Sequence, residues 1–320
     1  MRQISQTAID DAARHVYDAA VRTPLVRLDL PFGGGAEAPE VYLKLESLQP
    51  IGSFKIRGAW NALRQLTPDQ LRDGVWTVSA GNAAQGVAFA ARRAGVGCSV
   101  MVMDTAPETK LRAIERLGAT IVRATYDECW QTVESHASAR MRGHFVHPFD
   151  DDEFIAGNAT AGLEILEDLA DVDAVVVPIG GGGLLAGVGS VMRARKPGVR
   201  VYAAEPATAA PLAASLAQGR ASYFEGWTAS FVDGAGGKSV LPTMWPLLQA
   251  LVTDSIVVSL DEVGAAMRLT ADRVHVVAEG AAGCAIAAAL SGRAGLGKVV
   301  AVVSGGNVDL SRFAQIVGAS

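Results

Sequence analysis

Asp173-Ala174-Val175-Val176-Val177-Pro178-Ile179-Gly180-Gly181-Gly182-Gly183-Leu184 is a short apolar run that ends in four glycines and opens a helix. The run is apolar on both faces, as a parallel strand covered by helices on two sides must be. Lacking Cβ atoms, the glycine backbones can approach an anion closely. The new helix adds free N–H groups and the positive end of its dipole. The stretch reads as a phosphate cradle. It lacks the lysine-plus-hydroxyl ending of a P-loop and the spaced glycines of a dinucleotide fingerprint. A flexible turn is the competing reading, but four consecutive glycines are costly in chain entropy for that purpose alone.

The same strand–helix grammar extends in both directions. Val- and Ile-rich runs predict strands over Trp76–Ser79, Ser99–Met103, Thr120–Arg123, Ala174–Pro178, Val199–Ala203, Ile256–Ser259 and Val299–Val303. Helical spacing predicts helices over Ala84–Ala94, Pro107–Leu117, Asp127–Arg140, Phe154–Asp168, Leu184–Arg195, Asp261–Val274 and Ala281–Ser291. Pro107 is expected at a first helical position, with Thr105 as its cap. Such alternation means an α/β fold of open, mostly parallel twisted sheets flanked by helices. Residues 65–146 read as three strand–helix units, followed by a crossover at His147-Pro148-Phe149-Asp150. The expected organisation is a small domain, 65–146, inserted in a larger one built from 1–64 and 147–320.

Composition narrows the function classes. Half of the 320 residues are apolar, 19% are charged, and the net charge is −5. A large core fits these values, and a nucleic-acid surface does not, because phosphate backbones demand a basic face. Arg2, Asp10, Asp11 and Arg14 exclude a signal peptide over the first twenty residues, and Ala281–Leu290 is too short to span a bilayer. Cys98, Cys129 and Cys284 form neither a metal pattern nor a disulfide framework, which suits a reducing cytoplasm.

Three further stretches carry chemistry. Gly52-Ser53-Phe54-Lys55-Ile56-Arg57-Gly58-Ala59 places one of only six lysines between an aromatic and a β-branched residue. Held among Phe54, Ile56 and a glycine turn, its amine is partly desolvated. Desolvation lowers its pKa and leaves a nucleophile toward carbonyls. A solvated lysine at the start of a surface helix is the competing reading of this stretch alone. Val78-Ser79-Ala80-Gly81-Asn82-Ala83-Ala84-Gln85-Gly86 follows a strand and opens a helix, with Ser79 and Asn82 placed either as donors to a ligand or as helix caps. Ser304, in Val303-Ser304-Gly305-Gly306-Asn307, ends the last strand at the carboxyl edge of the sheet, where open α/β folds bind ligands. An aldehyde for the lysine, a phosphate for the glycines and a ring with polar edge atoms are together met by pyridoxal phosphate.

The chain resembles the fold-type II pyridoxal-phosphate enzymes, specifically the threonine/serine dehydratase and serine racemase group. The resemblance runs from Thr23-Pro24-Leu25 through Tyr42-Leu43-Lys44-Leu45-Glu46, the lysine stretch, the tetraglycine loop and Tyr202-Ala203-Ala204-Glu205-Pro206 to Ser304-Gly305-Gly306-Asn307. It implies two sheets and a homodimer. It implies that Lys55 forms the internal aldimine and then moves protons, with Phe54 beside the ring. Asn82 would bond the ring 3′ oxygen, and Ser304 would face the pyridine nitrogen. Gly180, Gly181, Gly182, Gly183 and Leu184 would bind the phosphate. Ser79, Gly81 and Ala83 would lie in the loop holding the substrate carboxylate.

A neutral hydroxyl at Ser304 does not hold a proton on the pyridine nitrogen, so a long-lived carbanion is disfavoured and loss of a β leaving group relieves the charge. The implied reaction is β-elimination from a 3-hydroxy L-amino acid, releasing a 2-keto acid and ammonia. Three positions depart from the group. Ala80 stands where serine racemases carry a serine, and dehydratases carry alanine there. Ala83 stands where nearly all of the group has histidine. Pro211 stands near an acidic metal ligand of the racemases, although Glu205 with the Ala209 carbonyl could hold a divalent or monovalent cation; a structural glutamate is the competing reading. No regulatory module is expected after residue 320. An amino-acid racemase, a β-replacement enzyme and a non-catalytic cofactor binder are the alternatives. Retained Lys55, Asn82 and Ser304 argue against the last.

Overall fold

The computed structural model describes residues 2–29 and 38–318. Its strands are β1 (Leu25–Arg27), β2 (Glu40–Lys44), β3 (Val75–Val78), β4 (Cys98–Met103), β5 (Thr120–Ala124), β6 (His144–Phe145), β7 (Ala174–Pro178), β8 (Arg200–Pro206), β9 (Asp254–Val258) and β10 (Lys298–Val302). Its helices are α1 (Gln6–His15), α2 (Lys55–Arg64), α3 (Pro68–Leu71), α4 (Asn82–Ala94), α5 (Glu108–Glu115), α6 (Tyr126–Ser135), α7 (Asp152–Asp168), α8 (Gly183–Arg195), α9 (Pro211–Gln218), α10 (Trp245–Leu251), α11 (Leu260–Arg273), α12 (Gly280–Leu290) and α13 (Leu310–Gly318). No helix among the described residues is long and apolar enough to cross a membrane.

Two sheets carry the architecture. One has six strands in the order β1-β2-β10-β7-β8-β9, and the other has four in the order β5-β4-β3-β6. β1 runs antiparallel to β2; the remaining pairs are parallel. Every residue of β3 and of β7 is buried, so helices cover both faces of these strands. All four strands of the smaller sheet come from residues 75–145, while the larger sheet uses chain from both sides of that stretch.

Local chemistry sets several boundaries. The Asp151 side chain accepts from the Phe154 N–H at 2.7 Å and starts α7. Ser259 and Glu262 form a reciprocal capping box at α11. Pro107 differs from expectation: it is the residue before α5, with extended ψ of 135°, and neither it nor Thr105 caps by side chain. The helix expected over Asp127–Arg140 ends at Ser135, because His136 takes a left-handed φ of 59°. The strand expected over Val199–Ala203 runs on to Pro206, and β2 was not expected as a strand.

β2 hides its pattern because it ends in a buried charge. Lys44 lies 2.6 Å from Glu164 and donates to the Thr23 carbonyl at 2.7 Å. Arg57, two residues past Lys55, donates to both oxygens of Glu46, at 2.7 and 2.8 Å, and to both of Glu164, at 2.7 and 3.0 Å. Two cations and two anions thus neutralise one another without water. Removing one member would strand a buried charge at a cost of about 3–5 kcal/mol.

The same helix makes a close crossing. A Cβ on Gly58 would lie 2.4 Å from the Phe154 ring, and one on Gly157 would lie 2.4 Å from the Arg57 carbonyl oxygen. α2 and α7 therefore meet backbone to backbone, and the first residue of α2 is Lys55.

Candidate active site

Lys55 opens α2, as a surface lysine would, but it is half-buried. Nζ donates to the Pro148 carbonyl and stands 5.3 Å from the centroids of both the Phe54 and the Phe154 rings. Burial pulls its pKa from 10.5 to about 7, against a smaller upward pull from Glu279. The amine is thus half-neutral at physiological pH. Ile56, read in the sequence as part of the lysine's surroundings, packs instead with Val16, Ala19, Ala20 and Ile51. Successive helical residues point about 100° apart, so it cannot share the lysine's side. Phe154 and Pro148 take its place.

Backbone pairing brings the Lys55 loop to the end of β10. The Phe54 N–H donates to the Ser304 carbonyl at 3.0 Å, the Gly306 N–H donates to the Gly52 carbonyl at 2.9 Å, and Ser53 bridges Gly305. Ser304 is 2% exposed and sits just past the end of β10, where these pairings gather.

The tetraglycine loop follows β7. Gly182 has φ of +93°, a conformation that a residue with a side chain rarely adopts, and Gly183 begins α8. A Cβ on Gly181 would lie 2.1 Å from the Phe149 ring, and one on Gly183 would lie 2.7 Å from the Phe149 carbonyl oxygen. The crossover His147-Pro148-Phe149 therefore fits between the lysine and the glycine loop. His147 anchors that crossover: Nε2 donates to the Val133 carbonyl at 3.2 Å, and Nδ1 accepts the Asp150 N–H at 2.7 Å. Burial pushes it down to about 4, so it stays neutral.

α4 supplies the facing wall. Gly86 lets it touch the Lys55 backbone, since a Cβ there would lie 3.0 Å from the Lys55 carbonyl oxygen. The N–H groups of Asn82, Ala83 and Ala84 occupy the first turn, where no helical acceptor exists. Ser79 accepts the Gly81 N–H at 3.1 Å, so its oxygen serves partly to shape the turn. Asn82 donates from Nδ2 to both oxygens of Glu279, at 2.9 and 3.1 Å, and accepts from Asn307 Nδ2 at 2.8 Å.

Glu279, Asn307, Phe149, Phe154 and Pro148 were not singled out in the sequence. For Glu279 one signal existed: it is a lone acid ahead of the Ala-rich run that becomes α12. Burial raises its pKa to about 7, against hydrogen bonding from Asn82.

Glu205 lies apart from this group. Its Oε1 accepts the Leu212 N–H and its Oε2 the Ala213 N–H, both at 2.8 Å, and Ser255 donates to Oε2 at 2.5 Å. It thus ties the first turn of α9 to β8, and we read this as a structural duty in preference to cation binding by Glu205 and the Ala209 carbonyl. His136, His147 and Asp150 also stand close enough to share an ion, but both His147 nitrogens are already engaged.

The pieces fit a phosphate-anchored carbonyl cofactor: a glycine cradle too tight for side chains, an amine of lowered pKa, a hydroxyl at the end of the last strand and an amide with one N–H to spare. The fold and site are those of an α/β enzyme that works through a phosphate-bearing cofactor. The chain matches the family model described as pyridoxal-phosphate dependent enzyme over residues 16–305, and it belongs to that family. It is 39% identical to the L-threonine dehydratase catabolic TdcB of Escherichia coli over 87% of this chain and 86% of that protein. It is 39% identical to the serine racemase of Homo sapiens over 96% of this chain and 92% of that protein. The structure of maize serine racemase superposes with a TM-score of 0.86 at 30% identity, covering 98% of this chain and 96% of that one. The two-sheet arrangement is that of the fold-type II group.

Proposed function

We propose that this chain removes water from a 3-hydroxy L-amino acid, such as threonine, serine or a bulkier analogue, and that hydrolysis of the released enamine takes the water back and frees ammonia, leaving a 2-keto acid. The observation that carries the reading is the Lys55 amine, half-buried at 5.3 Å from two aromatic rings, with its pKa drawn down to about 7. Bound pyridoxal phosphate supplies the electron sink that makes the α-proton acidic. The glycine loop and the start of α8 hold its phosphate, Asn82 its ring oxygen and Ser304 its pyridine nitrogen. The first-turn N–H groups of α4, with Ser79, Gly81 and Ala83, orient the substrate carboxylate. Lys55 takes the α-proton. Ala80 offers no proton on the opposite side, so inversion lacks its acid. Relatives named threonine dehydratase support this outcome, and those named serine racemase keep the racemase as the second reading.

The rest of the proposal is organisational. Residues 65–146 form a small domain, and the protein is a cytoplasmic homodimer acting on a small amino acid. The test incubates the holoenzyme with L-serine, L-threonine and 3-phenylserine. It follows keto-acid release and separates unreacted substrate by chiral chromatography. Keto acid with little D-isomer is expected; D-isomer forming as fast as keto acid overturns the reading.

Position 83 sets substrate size. Ala83 is buried where the group carries an imidazole, and losing that donor costs about 1–3 kcal/mol unless something replaces it. The space favours a side chain larger than that of threonine. Ala83→His is expected to shift the kcat/KM ranking toward threonine. An unchanged ranking with threonine already best rejects the idea.

A further inference from the structure

We infer that Glu279 is a positioning residue of this site: with Asn307 it locks the Asn82 amide in one orientation. The inference rests on the cofactor reading above.

The bonding pattern leaves Asn82 no choice of orientation. Its Oδ1 accepts from Asn307 Nδ2 at 2.8 Å, and the other Nδ2 proton of Asn307 is directed to the Ile51 carbonyl at 2.8 Å. Asn82 Nδ2 must then face Glu279, whose oxygens lie at 2.9 and 3.1 Å. The two N–H vectors of an amide diverge by about 120°, so one carboxylate takes only one of them. The second N–H is left for the cofactor's ring oxygen. A flipped Asn82 would set its oxygen against the carboxylate and its amine against another amine.

Glu279 is itself held tightly. It precedes α12, and its own N–H donates to the Gly305 carbonyl at 2.9 Å. Cβ atoms built on Gly305 and Gly234 would lie 2.7 and 3.4 Å from its Oε1. Those two glycines let the Ser304 loop and the loop over the glycine cradle close around the carboxyl. Lys110 and the Asn307 N–H favour its charge, and Asp233 opposes it, while Glu279 in turn favours the charged form of Lys55. Lys110 and Asp233 pair with each other.

The test uses the holoenzyme and the visible absorption band of its bound cofactor, titrated with pH. Glu279→Gln keeps an oxygen for Asn82 but removes the charge. Losing a nearby anion destabilises the protonated nitrogen, so the midpoint of the band is expected to fall by about one unit or more. kcat is expected to fall by about 10- to 100-fold with KM changed by less than about threefold, as a misplaced reacting group requires. Glu279→Asp keeps the charge one methylene away, and its midpoint is expected between the two. A midpoint unmoved in Glu279→Gln at full cofactor content overturns the inference. If that variant does not fold, Glu279→Asp is read alone, and a wild-type midpoint together with wild-type kcat overturns it. If wild type itself shows no visible band on loading, it is the cofactor reading that fails.

Discussion

At the residue scale, the decisive property is the proton affinity of Lys55. Its amine bonds a carbonyl oxygen and lies between Phe54 and Phe154. Desolvation wins over the attraction of Glu279, and the pKa falls to about 7. Between about 7 and 10.5 the unfolded chain binds the extra proton, so this group's unfavourable contribution shrinks as pH rises through that window. For cofactor-free protein the rate of loading with pyridoxal phosphate is therefore expected to rise through pH 7 and level off, and stopped-flow absorbance checks this. A rate still climbing toward pH 10 contradicts a desolvated amine. Borohydride is expected to fix the cofactor to Lys55, and Lys55→Ala is expected to show no visible band unless an amine is added.

At the element scale, the helix that carries Lys55 is placed by contact too close for any side chain. Gly58→Ala would force a methyl to 2.4 Å from the Phe154 ring and 2.6 Å from the Phe154 carbonyl oxygen. The backbone cannot yield as a flexible side chain would. A loss of about 1–3 kcal/mol in stability is expected, with activity falling alongside because Phe154 also faces Lys55. Gly264 in α11 is the contrast: a Cβ there meets only Ile316, at 3.5 Å. Gly264→Ala is expected to be neutral or to stabilise by up to about 1 kcal/mol. Urea unfolding of the two variants checks both signs.

At the scale of the whole molecule, the two sheets are clasped over the site. Lys238 lies 4.4 Å from the ring centroid of Tyr126, on α6, and 4.5 Å from that of Trp227, in the segment between α9 and α10. Trp227 is fixed by its Nε1 donating to the Gly236 carbonyl at 2.9 Å. Lys110, on α5, pairs with Asp233 nearby. A cation–π contact contributes about 0.5–1 kcal/mol at an exposed site, and exposed ion pairs contribute less and fade with salt. Lys238→Gln is expected to raise KM about 5- to 30-fold at any ionic strength, the loss of two such contacts. Lys110→Gln is expected to matter only at low salt. Equal effects of both at high salt would show that the clasp does not work in this way.

The sequence by itself determined the alternation of strands and helices and marked out the glycine loop and Lys55. All of these follow from local rules: apolar periodicity, the absence of Cβ atoms and the rarity of lysine in such a setting. The short edge strands β1 and β6 and the charged β2 were not legible, because pairing partners far along the chain create them. Glu279, Asn307, Phe149 and Phe154 were hidden for the same reason. Each is an ordinary residue until the fold sets it beside Lys55, Asn82 or Gly181. Only the tertiary structure decided that the lysine at a helix start would be desolvated and that a lone glutamate would meet Asn82 beside it. Proton affinity depends on what surrounds a group in space, and at this site the surroundings come from segments up to 256 residues apart, as between Ile51 and Asn307.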